Sequence, residues 1–236
     1  MKTNFYISNK YQIKNYIFKN GIKADLYIES KRNSFLVILI SFSKEEGEKV
    51  ISLFNNLSYS LSFLNIYDFN WNDDLTPRYS EKIFNKGQGF KGNADNFLKF
   101  IINEVLSIIE KEMNPVIKII AGYSLGGLFS LYSAYKCNEF NKVICASGSL
   151  WYPNLVNFIK ENQISNNVKD VYFSLGDKEK YTSNRYMKNV YDNTLDIFNN
   201  IKEKGINTIF ELNKGNHFVD NDIRVFKGIE WCIKQK

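Results

Sequence analysis

Residues 121–127 read "AGYSLGG", a serine flanked by glycines, with the apolar run "VIKIIA" (116–121) before it and "LFSLYSAYK" (128–136) after it. The first run reads as a strand and the second as a helix, so the chain must pass from one to the other in a single sharp turn. Glycine suits that turn. Side chains at 122 and 126 would collide with neighbouring backbone there, and Gly127 extends the room. A serine held at the start of a helix sits where backbone N–H groups favour negative charge. Gly122-Tyr123-Ser124-Leu125-Gly126 also fits G-x-S-x-G, a motif whose required context is a strand before it and a helix after it.

The grammar around this turn repeats along the chain. Residues 11–29 read as a hairpin, "YQIKNYIF" and "IKADLYIE" flanking the turn dipeptide Asn20-Gly21. "SFLVILISF" (34–42) is apolar almost throughout, as a strand buried on both faces requires. In the next stretch, Ser43 and Glu46 have capping-box spacing, and Val50, Ile51, Phe54 and Leu57 form a helical stripe. A strand at 63–69 precedes a helix at 93–112 with Phe97, Phe100, Ile101, Val105 and Ile108 on one side. Strands follow at 142–147, 171–175 and 207–212, with a helical stretch at 184–203 and a closing amphipathic helix at 218–234. Alternating strands and helices predict an α/β fold with a mostly parallel central sheet, helices on both faces and an N-terminal antiparallel hairpin. In such sheets, sites gather at the carboxyl ends of the strands.

Composition bounds the rest. A chain of 236 residues with 44% hydrophobic and 16% aromatic content buries a sizeable core and reads as one domain, 1–236. The net charge of +6 comes from lysines scattered singly among Asn, Ile, Phe and Tyr, with no basic block, which argues against a nucleic-acid partner and fits an AT-rich coding bias. "MKTNFYISNKYQIKNY" lacks a secretory apolar stretch and no segment has the length of a membrane span, so the expectation is a cytoplasmic protein with no membrane partner. Cys137, Cys145 and Cys232 form no CxxC and cannot all pair, as in a reducing compartment. Oligomeric state is not legible.

A serine hydroxyl near neutral pH needs a base, and the base needs an orienting acid. The only histidine is His217, in the polar loop "NKGNHF" just past the strand 207–212. A lone histidine is usually a hydrogen-bonded structural residue, but the order serine, acid, histidine is that of the α/β-hydrolases. "VYFSLGDKEK" (171–180) supplies two acids after its strand, Asp177 and Glu179.

With "GYSLGG", "SLGDKE" and "GNHF" in this order, the chain resembles the putative-esterase branch of the α/β-hydrolases, which includes esterase D-like and enterochelin-esterase-like proteins. The likeness spans roughly residue 34 to the C-terminus, and "WNDDLTPRY" and "SGSLWYP" share it. The resemblance implies hydrolysis of a small-molecule ester or thioester through an acyl-enzyme on Ser124, with His217 as base and no metal or organic cofactor. It places the acid three residues after a glycine, which selects Glu179 from Gly176 and leaves Asp177 as the alternative. It also implies an oxyanion site from the backbone N–H groups of Leu125 and Phe42, although the chain has Ser41-Phe42-Ser43 where better-known members carry a His-Gly sequence. A substrate-covering loop is expected within 70–92, and Trp71, Leu150, Trp151 and Tyr152 are the candidate substrate-binding residues.

Other readings are weaker. "GQGFKG" (87–92) fits G-x-G-x-x-G, but no clear strand precedes it, so it reads as a flexible loop before a helix. Asp73-Asp74 and Asp220-Asp222 have no histidine or cysteine at ligand spacing and read as a turn and a helix start. The same three residues could serve an acyltransferase, and α/β-hydrolase folds also act as non-catalytic binding modules.

Overall fold

The structure, a computed structural model, describes residues 10–29, 35–55, 57–83 and 87–235. Residues 1–9 of the stretch read for a leader, Ser34 and residues 84–86 lie outside it.

The apolar run at 34–42 gives strand β3 (Phe35–Ile40). Leu36, Ile38 and Ile40 are buried in one layer and Val37 and Leu39 in the other, the alternation of a strand covered on both faces. Each such side chain contributes about 1.5–3 kcal/mol by leaving water. The hairpin strands are β1 (Tyr11–Ile17) and β2 (Lys23–Glu29), joined through Gly21 at φ +85°. Strand β4 is Ser62–Tyr67, β5 Ile117–Tyr123, β6 Lys142–Ala146, β7 Asp170–Gly176 and β8 Asn207–Asn213.

These eight strands form one sheet in the order β1-β2-β4-β3-β5-β6-β7-β8. Strand β2 runs antiparallel to both β1 and β4, and β4 through β8 are parallel. Helices α1 (Lys44–Ser52) and α8 (Asn221–Lys234) cover one face. The other carries α3 (Ala94–Phe100), α4 (Ser107–Glu112), α5 (Leu125–Ser133), α6 (Leu155–Glu161) and α7 (Val190–Glu203), with the short α2 (Trp71–Asp74) beside α3.

The closing helix, read over 218–234, begins at Asn221, and the stretch read over 184–203 is helical from Met187; two further elements differ from the sequence reading. Helix α5 begins at Leu125, not Leu128, because Ser124 is itself the cap residue and its carbonyl accepts the Leu128 N–H at 3.0 Å. The helix read over 93–112 contains a π-helical stretch, Ile101–Leu106, between α3 and α4. One row of its buried residues, Phe97, Ile101, Val105 and Ile109, repeats every four positions with Leu98 and Leu106 buried beside it, and Ile109 takes the inward place expected of Ile108. Such a repeat drifts around a 3.6-residue α turn, and the wider π turn brings it back to the sheet.

Candidate active site

The elbow at the end of β5 is fixed by close approach. A Cβ at Gly122 would lie 2.3 Å from the Gly126 backbone, and one at Gly126 would lie 2.8 Å from the Ile40 carbonyl oxygen. Ser124 takes φ 57° and ψ −120°, a conformation costing about 1–3 kcal/mol in a residue with a side chain. It is held there from both sides: its N–H donates to Ala146 O at 3.1 Å, and its carbonyl accepts from Leu128 and Ser149. The hydroxyl projects at the N-terminus of α5, where the Leu125 N–H belongs to the first turn and needs no intrahelical acceptor.

His217, four residues past the end of β8, meets this hydroxyl with Nε2 at 2.9 Å. Its Nδ1 lies 2.7 Å from Glu179 Oε2, in the loop after β7. With the proton on Nδ1, the imidazole donates to the carboxylate and accepts from the serine. Glu179 is buried; burial pushes its carboxyl up, but the bonds from His217, the Gly176 N–H and Ser147 outweigh this and hold it below the usual range. Asp177, the alternative acid, is turned away: its Oδ1 accepts the Gly215 N–H at 2.9 Å and so ties the histidine loop to the β7 loop. Tyr123 donates its hydroxyl to the His217 carbonyl at 2.7 Å, and burial pushes its phenol up to about 12, so it stays protonated.

Ser124 and His217 open into a cavity of about 580 Å³ lined also by Phe42, Trp71, Tyr123, Phe218, Glu46 and Lys49. Phe42 and Phe218 are largely exposed, and Trp71 packs edge-on against Phe42 at 5.4 Å and stacks on Phe69 at 5.9 Å. A larger cavity of about 670 Å³, between Ile83 and residues 182–187, contains none of these groups.

Two expectations change. Leu150, Trp151 and Tyr152 are buried in the core, not at the cavity, because the loop after β6 folds inward: the Tyr152 hydroxyl donates to Arg78 O and its ring packs on Phe90. The Phe42 N–H, expected as an oxyanion donor, instead donates to Glu46 Oε2 at 2.7 Å and is engaged within the protein. Of the described part of the 70–92 loop, Trp71 reaches the cavity, while Ser80 and Phe90 bridge to each other. The acids Asp73 and Asp74 bind Asn70, Lys91 and Asn93 and so pin that loop.

Sequence reasoning missed Arg224, Glu46, Ser149 and Phe218. Arg224 carries a signal, a cation beside the apolar stripe of the last helix, and the spacing of Glu46 signals only a cap. Nothing local marks Ser149, whose hydroxyl lies 3.3 Å from that of Ser124.

Residues 70–203, more than half of the chain, match the family described as "Putative esterase". The chain belongs to this family. The esterase is accordingly a carboxylic ester hydrolase, and its fold is that of the α/β-hydrolases. Among solved structures it is similar to the siderophore hydrolase EstA from Aspergillus nidulans, at 19% identity and a TM-score of 0.72, over 98% of each chain. The enterobactin hydrolase IroE in complex with DFP has 15% identity and a TM-score of 0.67, over 96% of this chain and 95% of its own. A ferulic acid esterase has 13% identity and a TM-score of 0.65, over 92% and 94%. At these identities the likeness is one of fold. A comparison with curated proteins finds no match. Among the described residues no helix is long and apolar enough to cross a membrane.

Proposed function

We propose that the esterase cleaves a small-molecule ester through an acyl-enzyme on Ser124, with His217 as general base and Glu179 as its orienting acid. The observation that carries this reading is the unbroken chain of contacts from Ser124 Oγ through the imidazole to Glu179, at 2.9 and 2.7 Å. His217 Nε2 takes the serine proton as Oγ attacks the ester carbonyl, and Glu179 stabilises the imidazolium that forms. The tetrahedral oxyanion develops beside the Leu125 N–H at the start of α5. The imidazolium returns its proton to the leaving alcohol, and a water activated by the same Nε2 releases the acid.

The cavity supports an ester with an aromatic or apolar group. Phe42, Trp71 and Phe218 present ring surface beside the serine, and such rings gain about 0.5–1.5 kcal/mol from an aromatic partner beyond simple burial. The siderophore and feruloyl relatives give two substrate types to try first.

The test is peptide mass spectrometry after brief exposure to a fluorophosphonate. One adduct on the peptide holding Ser124, slowed at least about a thousandfold in His217→Ala, is the expected result. Equal labelling of both proteins would overturn the triad.

A further inference from the structure

Arg224 lies in the first turn of α8, seven residues after His217, and is completely buried. Taking a guanidinium out of water is costly unless it is paired and its N–H groups are used. Its Nη1 lies 2.7 Å from Glu179 Oε1, 2.8 Å from Ser147 Oγ and 3.2 Å from the Tyr123 hydroxyl. Its Nη2 donates to the carbonyls of Asn216 at 3.0 Å and Lys214 at 3.3 Å. Nε has no partner among the described residues.

The choice of acceptors separates this from an ordinary buried ion pair. Arg224 takes the Glu179 oxygen that His217 does not, an oxygen that also accepts the Gly176 N–H at 2.7 Å. The carboxylate is thereby fixed in rotation, with Oε2 left for the imidazole. Its second nitrogen holds two carbonyls of the loop that carries His217, one of them directly before it in the chain. The Tyr123 hydroxyl receives from Arg224 and passes the restraint on to the His217 carbonyl. Both partners of the imidazole–carboxylate bond are therefore fastened to one rigid plane.

We propose that Arg224 is a positioning residue for the reaction at Ser124, aligning Glu179 and the His217 loop so that the imidazole meets the serine hydroxyl. The proposal rests on the triad reading above. Arginine suits the task because its planar guanidinium carries two separate donor nitrogens, Nη1 for the carboxylate and Nη2 for the carbonyls. Lysine brings a charge but no such pair of nitrogens.

His217 is the only histidine, so its ring proton is a direct reporter of alignment. The experiment compares the native chain, Arg224→Met, Arg224→Lys and Tyr123→Phe. It measures the saturation constant and maximal rate of fluorophosphonate labelling at Ser124, and the imidazole Nδ1–H signal by NMR, with circular dichroism as the folding control. In folded Arg224→Met the maximal rate should fall about 100-fold, the cost of a misplacement near 1 Å, and the Nδ1–H signal should vanish. The saturation constant should stay within about twofold, since the cavity is untouched. Arg224→Lys should restore the signal and part of the rate.

A folded Arg224→Met with native rate and native imidazole signal would overturn the proposal. Should that variant not fold, Tyr123→Phe decides: about tenfold slower labelling with a broadened imidazole signal supports it, and native behaviour overturns it. A native chain that is not labelled at Ser124 would sink the triad reading itself, and this proposal with it.

Discussion

Ser124 sits in a backbone conformation that glycine would adopt at less cost, and the hydroxyl gains from it a fixed aim toward His217. Beside it, two carboxylates two residues apart in the chain have different work. Glu179 is buried against the imidazole, whereas Asp177 binds the Gly215 backbone. Glu179→Gln should lower kcat by about ten-thousandfold, because an amide cannot stabilise the imidazolium; Asp177→Asn should stay within about tenfold. Steady-state kinetics on an aryl ester would read both. Glu179 also predicts how stability follows pH. Its folded pKa lies below its unfolded value of about 4.3, so its contribution is complete above that pH and is lost as pH falls through the lower folded value. Denaturant unfolding of Glu179→Gln should therefore show a flatter acid limb than the native chain. The pair of candidates was legible in the sequence; the spacing resembled that of known esterases for Glu179, and burial then separated the two.

Elements carry the next level. The capping-box spacing of Ser43 and Glu46 was visible in the sequence, and Ser43 Oγ does accept the Glu46 N–H at 3.2 Å. The Glu46 carboxylate, however, reaches the Phe42 N–H rather than the Ser43 N–H, and that amide is the second oxyanion donor that sequence reasoning named. The helix start and the Phe42 loop are thus tied together by one hydrogen bond. Burial raises the Glu46 carboxyl above its usual range, with Asp222 adding to it and the Phe42 amide and Lys49 opposing it. Glu46→Ala should release the Phe42 N–H toward the oxyanion and raise kcat up to about tenfold, while costing about 1 kcal/mol of stability through the lost cap. Slower turnover in a well-folded variant would show that the amide serves the loop alone. No local pattern marks this, since which backbone N–H donates to the Glu46 carboxylate is set by the path of the chain into α1.

Over the whole molecule, the sheet brings residues far apart in the chain into one site. Strands β5, β7 and β8 are parallel and end together, so the loops after them meet, although Ser124 and His217 lie 93 positions apart. Helix α8, which brings Arg224 to Glu179, is anchored at its other end by Lys142, whose buried Nζ binds Asp170 at 2.7 Å and the carbonyls of Cys232 and Gln235. Lys142→Ala would leave Asp170 buried without its cation and should lower unfolding stability by about 3–5 kcal/mol, with Ser124 labelling retained at temperatures where the chain is folded. Guanidinium unfolding checks the first part and mass spectrometry the second. By itself the sequence determined the elbow, the hairpin, the alternation of strands and helices, and the order of serine, acid and histidine. Those follow from local sterics and periodicity, which a few neighbouring residues fix. Only the tertiary structure decided that Leu150, Trp151 and Tyr152 face the core, that Glu46 holds the Phe42 amide and that Arg224 fastens the acid to the histidine loop. These depend on which surfaces the sheet order presses together, and no local pattern encodes that.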